Sequence, residues 1–259
     1  MPKKKDREQK TSGRSTGERN LTKETNTDPK EFDLTPGEKE QYKPVKADLV
    51  CPHCKKKSTM TLRACVNVSL HPEEKQQVLD GSFFRYTCPS CGEKISISYP
   101  ILYDDMGKAL MIYLLPDETE VALEKLNAQQ SSWSEDMLKA AKVCTMRAVR
   151  NSNELCEKIK IYDADLDDRY VELTKAFVFA QFIKQQPDFV AVQVLYDRQD
   201  GEDGLVIMGK DGKTLWVAWP EGLYDEVINM FSERIGSGKS TAYELIDANW
   251  SMKILAAKP

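Results

Sequence analysis

The sequence is poor in histidine: His53 and His71 are the two it has in 259 residues. That leaves few candidates for histidine-based acid–base or nucleophilic catalysis, and no Ser/His/Asp set can be assembled from them. Long apolar runs are missing too. None approaches the ~18–20 residues that a membrane-spanning helix needs, so no membrane association is expected. The first ten residues, MPKKKDREQK, lead into no apolar segment, so no secretory leader is expected. A glycine-rich phosphate loop is also lacking. IGSGKST (residues 235–241) looks like one, but the position five before Gly238 holds Glu233 where the pattern requires glycine. That stretch is read as a Gly/Ser turn. DADLDDR (163–169) spaces Asp163, Asp165 and Asp167 like calcium-loop ligands. However, Asp168 stands where the loop needs glycine and Thr174 where it needs glutamate. Acidic residues at a helix start account for it better.

What is present is cysteine in pairs. CPHC (51–54) and CPSC (88–91) give Cys51-x2-Cys54-x33-Cys88-x2-Cys91. Two such pairs supply four thiolates, the ligand set of a tetrahedral zinc site. Cys-Pro-x-Cys alone also spells the motif of a thiol–disulfide oxidase. That chemistry needs its cysteine at a helix N-terminus, where backbone N–H groups stabilise the thiolate. Behind Cys54 the sequence alternates instead. Leu62, Ala64, Val66, Val68 and Leu70 interleave with Thr61, Arg63, Cys65, Asn67 and Ser69, a strand pattern over 60–70. Structural zinc held by Cys51, Cys54, Cys88 and Cys91 is therefore expected, with a thiol-dependent redox enzyme as an alternative. Pro52 stiffens the first turn, and Gly92 suits the reversal after the second pair; Lys55 holds the equivalent place in the first. Lys55, Lys56, Lys57 and Lys94 would offset the charge of a zinc tetrathiolate. His53 is expected to be exposed. Seven cysteines with metal-type spacing point to a reducing cytoplasm. Cys144 and Cys156 are expected in the core. Cys65 falls on the polar face of its strand, where a thiol would be reachable.

Charge bears on partners. The chain carries a formal −4, with the basic excess in its first 46 residues. An acidic folded body is a poor start for gripping phosphates, so nucleic acid is an alternative partner and a protein the preferred one. Residues 1–46 are rich in Lys, Glu, Thr, Ser and Asn and have almost no large apolar side chains. They are expected to form a disordered charged tail.

Beyond the tail, Pro72 and Gly81 bracket a short helix between the cysteine pairs. YPILYDDMGKALMIYLLP reads as a hairpin around Asp104–Lys108, with Gly107 left-handed. The cysteine clip is thus expected to join the ends of an antiparallel sheet. Ser132–Glu135 has the form of a capping box before a helix carrying Met137, Ala141, Cys144 and Ala148. Further helices are expected from Asn151, through Leu155, Ile159 and Tyr162, and from Leu166 to Gln186. The latter presents Tyr170, Leu173, Phe177 and Ala180 as one stripe, with Val171, Val178 and Phe182 beside it. Three strand-like runs with a turn at Asp211-Gly212 then precede a helix bearing Leu223, Val227 and Phe231. YELIDANWSMKIL is left open as strand or helix. The expected fold is α+β: a zinc-ribbon-like antiparallel sheet with helices over residues 47–186, then a small β-meander and helix lobe over 187–259.

CPHC with TCPSCG, NVSLHPEEKQQVLDGSFFRYTCPSCG, YPILYDDMGKALMIYLLP and RAVRNSNELCEKIKIYDADLDDRYVEL together resemble the CpXC (Cys-Pro-x-Cys) domain proteins of bacteria and archaea. The resemblance runs closely from about Val50 to Leu173. It implies paired-cysteine motifs at Cys51, Cys54, Cys88 and Cys91, and it carries no established activity. On these grounds a non-enzymatic, zinc-stabilised binding or scaffold module is expected, with a nucleic-acid-associated zinc-ribbon protein as an alternative.

Overall fold

The computed structural model describes residues 44–257, except residues 237 and 239. Most of the charged tail, residues 1–43, lies outside the described residues, as does part of the 235–241 turn. Val45 and Lys46, the last two residues assigned to the tail, already belong to the first strand.

The fold is α+β, as expected, but its sheet differs from the one expected. Two short antiparallel hairpins stand apart from a four-stranded mixed sheet. One hairpin pairs β1 (Val45–Val50) with β2 (Lys57–Leu62); the other pairs β4 (Arg85–Thr87) with β5 (Lys94–Ser96). The larger sheet has the order β3 (Cys65–Asn67), β6 (Ile101–Asp105), β7 (Leu110–Leu114), β8 (Thr145–Val149). The single strand read over 60–70 is therefore split between two sheets. β6 and β7 form the expected hairpin, but Ala109 (φ 48°) rather than Gly107 takes the left-handed position.

The other two pairings, β3 with β6 and β7 with β8, are parallel. Parallel neighbours need a crossover, which usually contains helix. Helix α1 (Pro72–Leu79) and the β4–β5 hairpin lie in the first. Helices α2 (Thr119–Ala128) and α3 (Glu135–Val143) lie in the second. α1 starts on its proline and stops before left-handed Gly81, as the sequence predicts. α3 ends at Val143, so Ala148 sits in strand β8 and not on the helix expected there.

Both faces of this sheet are covered. Val66, Tyr103, Ile112 and Val149 pack on one side with Val78 of α1 and with Leu155 and Ile159 of α4 (Ser152–Asp163). Leu102, Met111, Tyr113 and Met146 pack on the other with Leu123, Leu126, Ala141 and Tyr243. α4 opens on a capping box: the Glu154 N–H donates to Asn151 Oδ1, and Glu154 Oε2 accepts from the Arg150 N–H.

Helix α5 (Asp168–Gln185) is packed on several sides. Tyr170, Leu173 and Phe177 face α6 (Leu223–Ile235) and α7 (Ala248–Ala256). Val178 and Phe182 face β10 (Glu202–Gly209), and Val171 meets Tyr196 of β9 (Ala191–Gln199). The single stripe expected of this helix is thus divided, and its fourth member, Ala180, is exposed. With β11 (Thr214–Ala218), β9 and β10 form the expected meander. The chain closes as helix α7. Among the described residues, no helix is long and apolar enough to cross a membrane.

Candidate metal centre

The two Cys-x2-Cys turns fold alike. In each, the first cysteine's N–H donates to the carbonyl five residues on: Cys51 to Lys56 at 3.0 Å and Cys88 to Glu93 at 2.8 Å. Its own carbonyl accepts from the N–H four residues on, Lys55 at 2.9 Å and Gly92 at 2.8 Å. Closing both rings requires a left-handed residue just past the second cysteine. Gly92 meets that need with φ 75°, and Lys55 adopts φ 61° in the same place.

These turns bring the four sulfurs together. Cys51 Sγ lies 3.8 Å from Cys91 Sγ, and Cys54 Sγ lies 3.7 Å from Cys88 Sγ. All four lie within 4.8 Å of one another. A disulfide would bring two of them to about 2.05 Å, so the group consists of free thiols. A metal with sulfurs at ~2.3 Å in a tetrahedron has S–S edges of about 3.8 Å. The donor set and its spacing fit one tetrahedral metal ion. Tyr86 Oη donates to Ser58 Oγ at 2.8 Å, a bond between β4 and β2 that ties the two hairpins beside the cluster.

The backbone favours thiolates on the first cysteine of each pair. The Cys54 N–H points at Cys51 Sγ and lowers its pKa. The Ser90 N–H does the same for Cys88 and draws it down to about 7. At Cys91 the Glu93 N–H also pulls downward. Burial and the three neighbouring thiols outweigh it and push that group up to about 12. The neighbouring thiols thus oppose ionisation of Cys91, a repulsion that a cation between the sulfurs would relieve. Cys51 and Cys88 are buried, Cys54 is half-buried and Cys91 is exposed.

The surroundings separate the sequence-level expectations. His53 is exposed, as expected. Cys54 is followed by Lys55 and β2, so Cys51 does not sit at a helix N-terminus. Cys65 is corrected. The far face of its sheet is covered by Tyr113, Tyr243 and their neighbours, so its thiol is buried and burial raises its pKa to about 12. Cys144 is fully buried, and Cys156 is half-buried with its thiol 3.1 Å from the Val78 carbonyl. In the acidic run, Asp163 pairs with Lys75, Asp165 with Lys108, and Asp167 caps α5. His71, Glu73 and Glu74 also bring ligand atoms within 4.8 Å of one another. There, however, Glu74 is paired with Arg63.

Residues 49–175 match the family described as CpXC protein. This segment is a CpXC domain. All four clustered cysteines fall inside it. The CpXC domain also contains a feature that sequence reasoning missed, a buried chain of charges. Arg147 pairs with Asp168 at 2.9 Å, and Asp168 pairs with Lys158 at 3.0 Å. Lys158 lies 3.5 Å from Glu172, which pairs with Lys175 at 2.9 Å, and Lys175 reaches Glu157 at 2.6 Å. The signal in the sequence was Glu157-Lys158 and Glu172-x2-Lys175 set among apolar helical residues. No match was found among curated proteins or among solved structures.

Proposed function

We propose that this chain is a structural zinc protein in which one Zn2+, held by Cys51, Cys54, Cys88 and Cys91, joins two knuckle hairpins into a zinc-ribbon-like module that binds a partner without catalysing a reaction. The observation that carries this reading is the sulfur spacing, 3.7 and 3.8 Å on two edges, against about 3.8 Å for tetrahedral zinc thiolate. Four thiolates favour zinc over the harder cations, which prefer oxygen. Four cysteine ligands would fill a tetrahedral site, which supports a structural role for the ion over a catalytic one. A reducing compartment such as the cytoplasm keeps such thiols reduced and free to bind. Metal analysis of protein purified without added zinc is expected to find about one zinc per chain, with X-ray absorption showing sulfur ligands alone. Cys51→Ser and Cys88→Ser are each expected to lose the metal, because the four ligands act as one unit. Metal retained in the first and lost from the second would overturn the four-ligand reading.

A second reading has one observation in its favour. The hairpins expose Lys46, Lys55, Lys56, Lys57, Arg85 and Lys94 against Asp48 and Glu93, although the chain as a whole is acidic. A local basic excess of this kind suits a nucleic-acid backbone. Fluorescence anisotropy with a labelled single strand at about 50 mM salt would then show binding that weakens steeply with salt. Lys56→Glu combined with Lys57→Glu would weaken it further. Absence of binding at low salt would leave the protein-partner reading alone.

A further inference from the structure

A cavity of about 800 Å3 opens between α4, α5, β8, β9 and the start of α7. That is the size of a small-molecule site. It is remote in sequence from the cysteine cluster and shares no residue with it, so its binding chemistry is independent of the metal. Its walls are mainly carbon, including Ala176, Phe179 and Ile183 of α5, Val194 of β9, and Ile246. Val192 and Met252 also line it and are 63% and 61% exposed, so the cavity communicates with solvent.

Four charged side chains of the buried chain line the same cavity: Glu157, Lys158, Glu172 and Lys175. All four are more than nine-tenths buried. Their hydrogen bonds are unevenly used. Lys158 Nζ is occupied by the Ile246 carbonyl, Asp168 and Glu172. Lys175 Nζ is held by Glu157 Oε1 at 2.6 Å and Glu172 Oε1 at 2.9 Å. Glu157 Oε1 additionally accepts the Tyr196 N–H at 2.5 Å. Every one of these contacts uses Oε1. Among the described residues Oε2 of Glu157 and Oε2 of Glu172 accept no hydrogen bond, and neither is among the fully buried unpartnered atoms, so both stay reachable from the cavity. A carboxylate can accept about four hydrogen bonds, whereas an ammonium donates three. The charged end of the cavity is therefore left with two open acceptors, Glu157 Oε2 and Glu172 Oε2, against one unspent donor, the third N–H of Lys175. Burial raises the Glu172 carboxyl above its usual value, against the opposing pull of Lys175 and Lys158.

We propose that this cavity binds a small amphipathic amine, with its ammonium donating to Glu157 and Glu172 and its carbon body lying against Phe179, Ile183 and Val194. The ammonium supplies the missing donors and compensates the carboxylates, while the walls take up the apolar surface. An anionic head would meet two carboxylates, and each cation of the lining is already paired: Lys175 with Glu157 and Glu172, Lys158 with Asp168 and Glu172, and Arg150 with Asp247 and Glu120.

The test uses three probes with one body and different heads, 4-phenylbutylamine, 4-phenylbutan-1-ol and 4-phenylbutanoate, titrated calorimetrically into the full chain at pH 7. The amine is expected to bind about tenfold or more tightly than the alcohol, and the carboxylate most weakly. Glu172→Gln is expected to cut amine affinity about tenfold and to leave the alcohol nearly unchanged. Ala176→Leu fills the cavity without touching the ionic chain, so it keeps the test open if the first variant does not fold. It is expected to abolish binding of the amine and the alcohol while leaving bound metal unchanged. Equal binding of all three heads, tighter binding of the carboxylate, no binding by the amine, or full amine binding in Ala176→Leu would each overturn the proposal.

Discussion

Lys55 holds a backbone conformation that side chains resist, with φ 61° just past the second cysteine of its turn. The left-handed region costs a non-glycine residue about 1–2 kcal/mol, and a β-branched residue more. The turn tolerates Lys55 because the Cys51 carbonyl needs the Lys55 N–H. Lys55→Gly should therefore stabilise the folded protein by about 0.5 kcal/mol, after allowing for glycine's greater freedom in the unfolded chain. Lys55→Val should destabilise it by about 1–2 kcal/mol. Denaturant unfolding of both, with Lys57→Val as the exposed-strand control, checks this. Equal effects of valine at 55 and 57 would mean the turn carries no such strain. This part of the site was legible in the sequence because a knuckle is local. Two cysteines, a proline and the next residue or two specify the turn, and its repetition specifies the site. Cys65 was misread because its burial depends on Tyr113 and Tyr243, which lie far along the chain from it.

At the scale of elements, the same division applies. Pro72 at the start of α1, and Asn151 with Glu154 at the start of α4, announce their helices through capping geometry a few residues long. β8 was hidden because Ala141, Cys144 and Ala148 continue a helical spacing. It becomes a strand by pairing in parallel with β7, from Leu110 with Thr145 to Leu114 with Val149. Nothing within five residues encodes that partner. The charge chain between β8, α4 and α5 is likewise non-local, and it makes its own prediction. Burial alone would raise the Asp168 carboxyl. Arg147 and Lys158 outweigh that and hold it well below the usual carboxylate range. A depressed folded pKa contributes stability that is complete above the unfolded value of about 3.9 and is lost as pH falls toward the folded one. Asp168→Asn leaves two buried cations under-compensated and should cost about 3–5 kcal/mol at pH 7. Below about pH 5 its stability should fall less steeply than that of the unaltered protein, since the proton uptake on unfolding has been removed. Urea titrations at pH 7, 5, 4 and 3 give both numbers. An unchanged slope would show that other carboxylates govern acid unfolding.

At the scale of the whole molecule, the hairpins and the main body are held by different forces. Among the described residues, none of the buried apolar clusters draws a residue from β1, β2, β4 or β5. The strands of those hairpins consist of exposed and half-buried residues, with none fully buried. A two-stranded hairpin without a packed face is marginal in water. Metal-binding free energy in such a site is folding free energy of the segments that carry the ligands. The mixed sheet, by contrast, is covered on both faces. If the cluster holds the proposed ion, removing it with a chelator should therefore release residues 45–62 and 85–96 first. Their amides should exchange with deuterium much faster, while those of β7, α4 and α5 stay protected. The link that could carry the loss further is short: β5 continues through the Ile97 N–H to the Phe84 carbonyl at 2.8 Å, and Phe84 belongs to the main core. Faster exchange should fade over those few residues. Hydrogen exchange followed by mass spectrometry, with and without chelator, distinguishes the outcomes. Simultaneous loss of protection in α4 and α5 would mean the metal supports the whole fold. Unchanged exchange in both hairpins would mean that it supports neither.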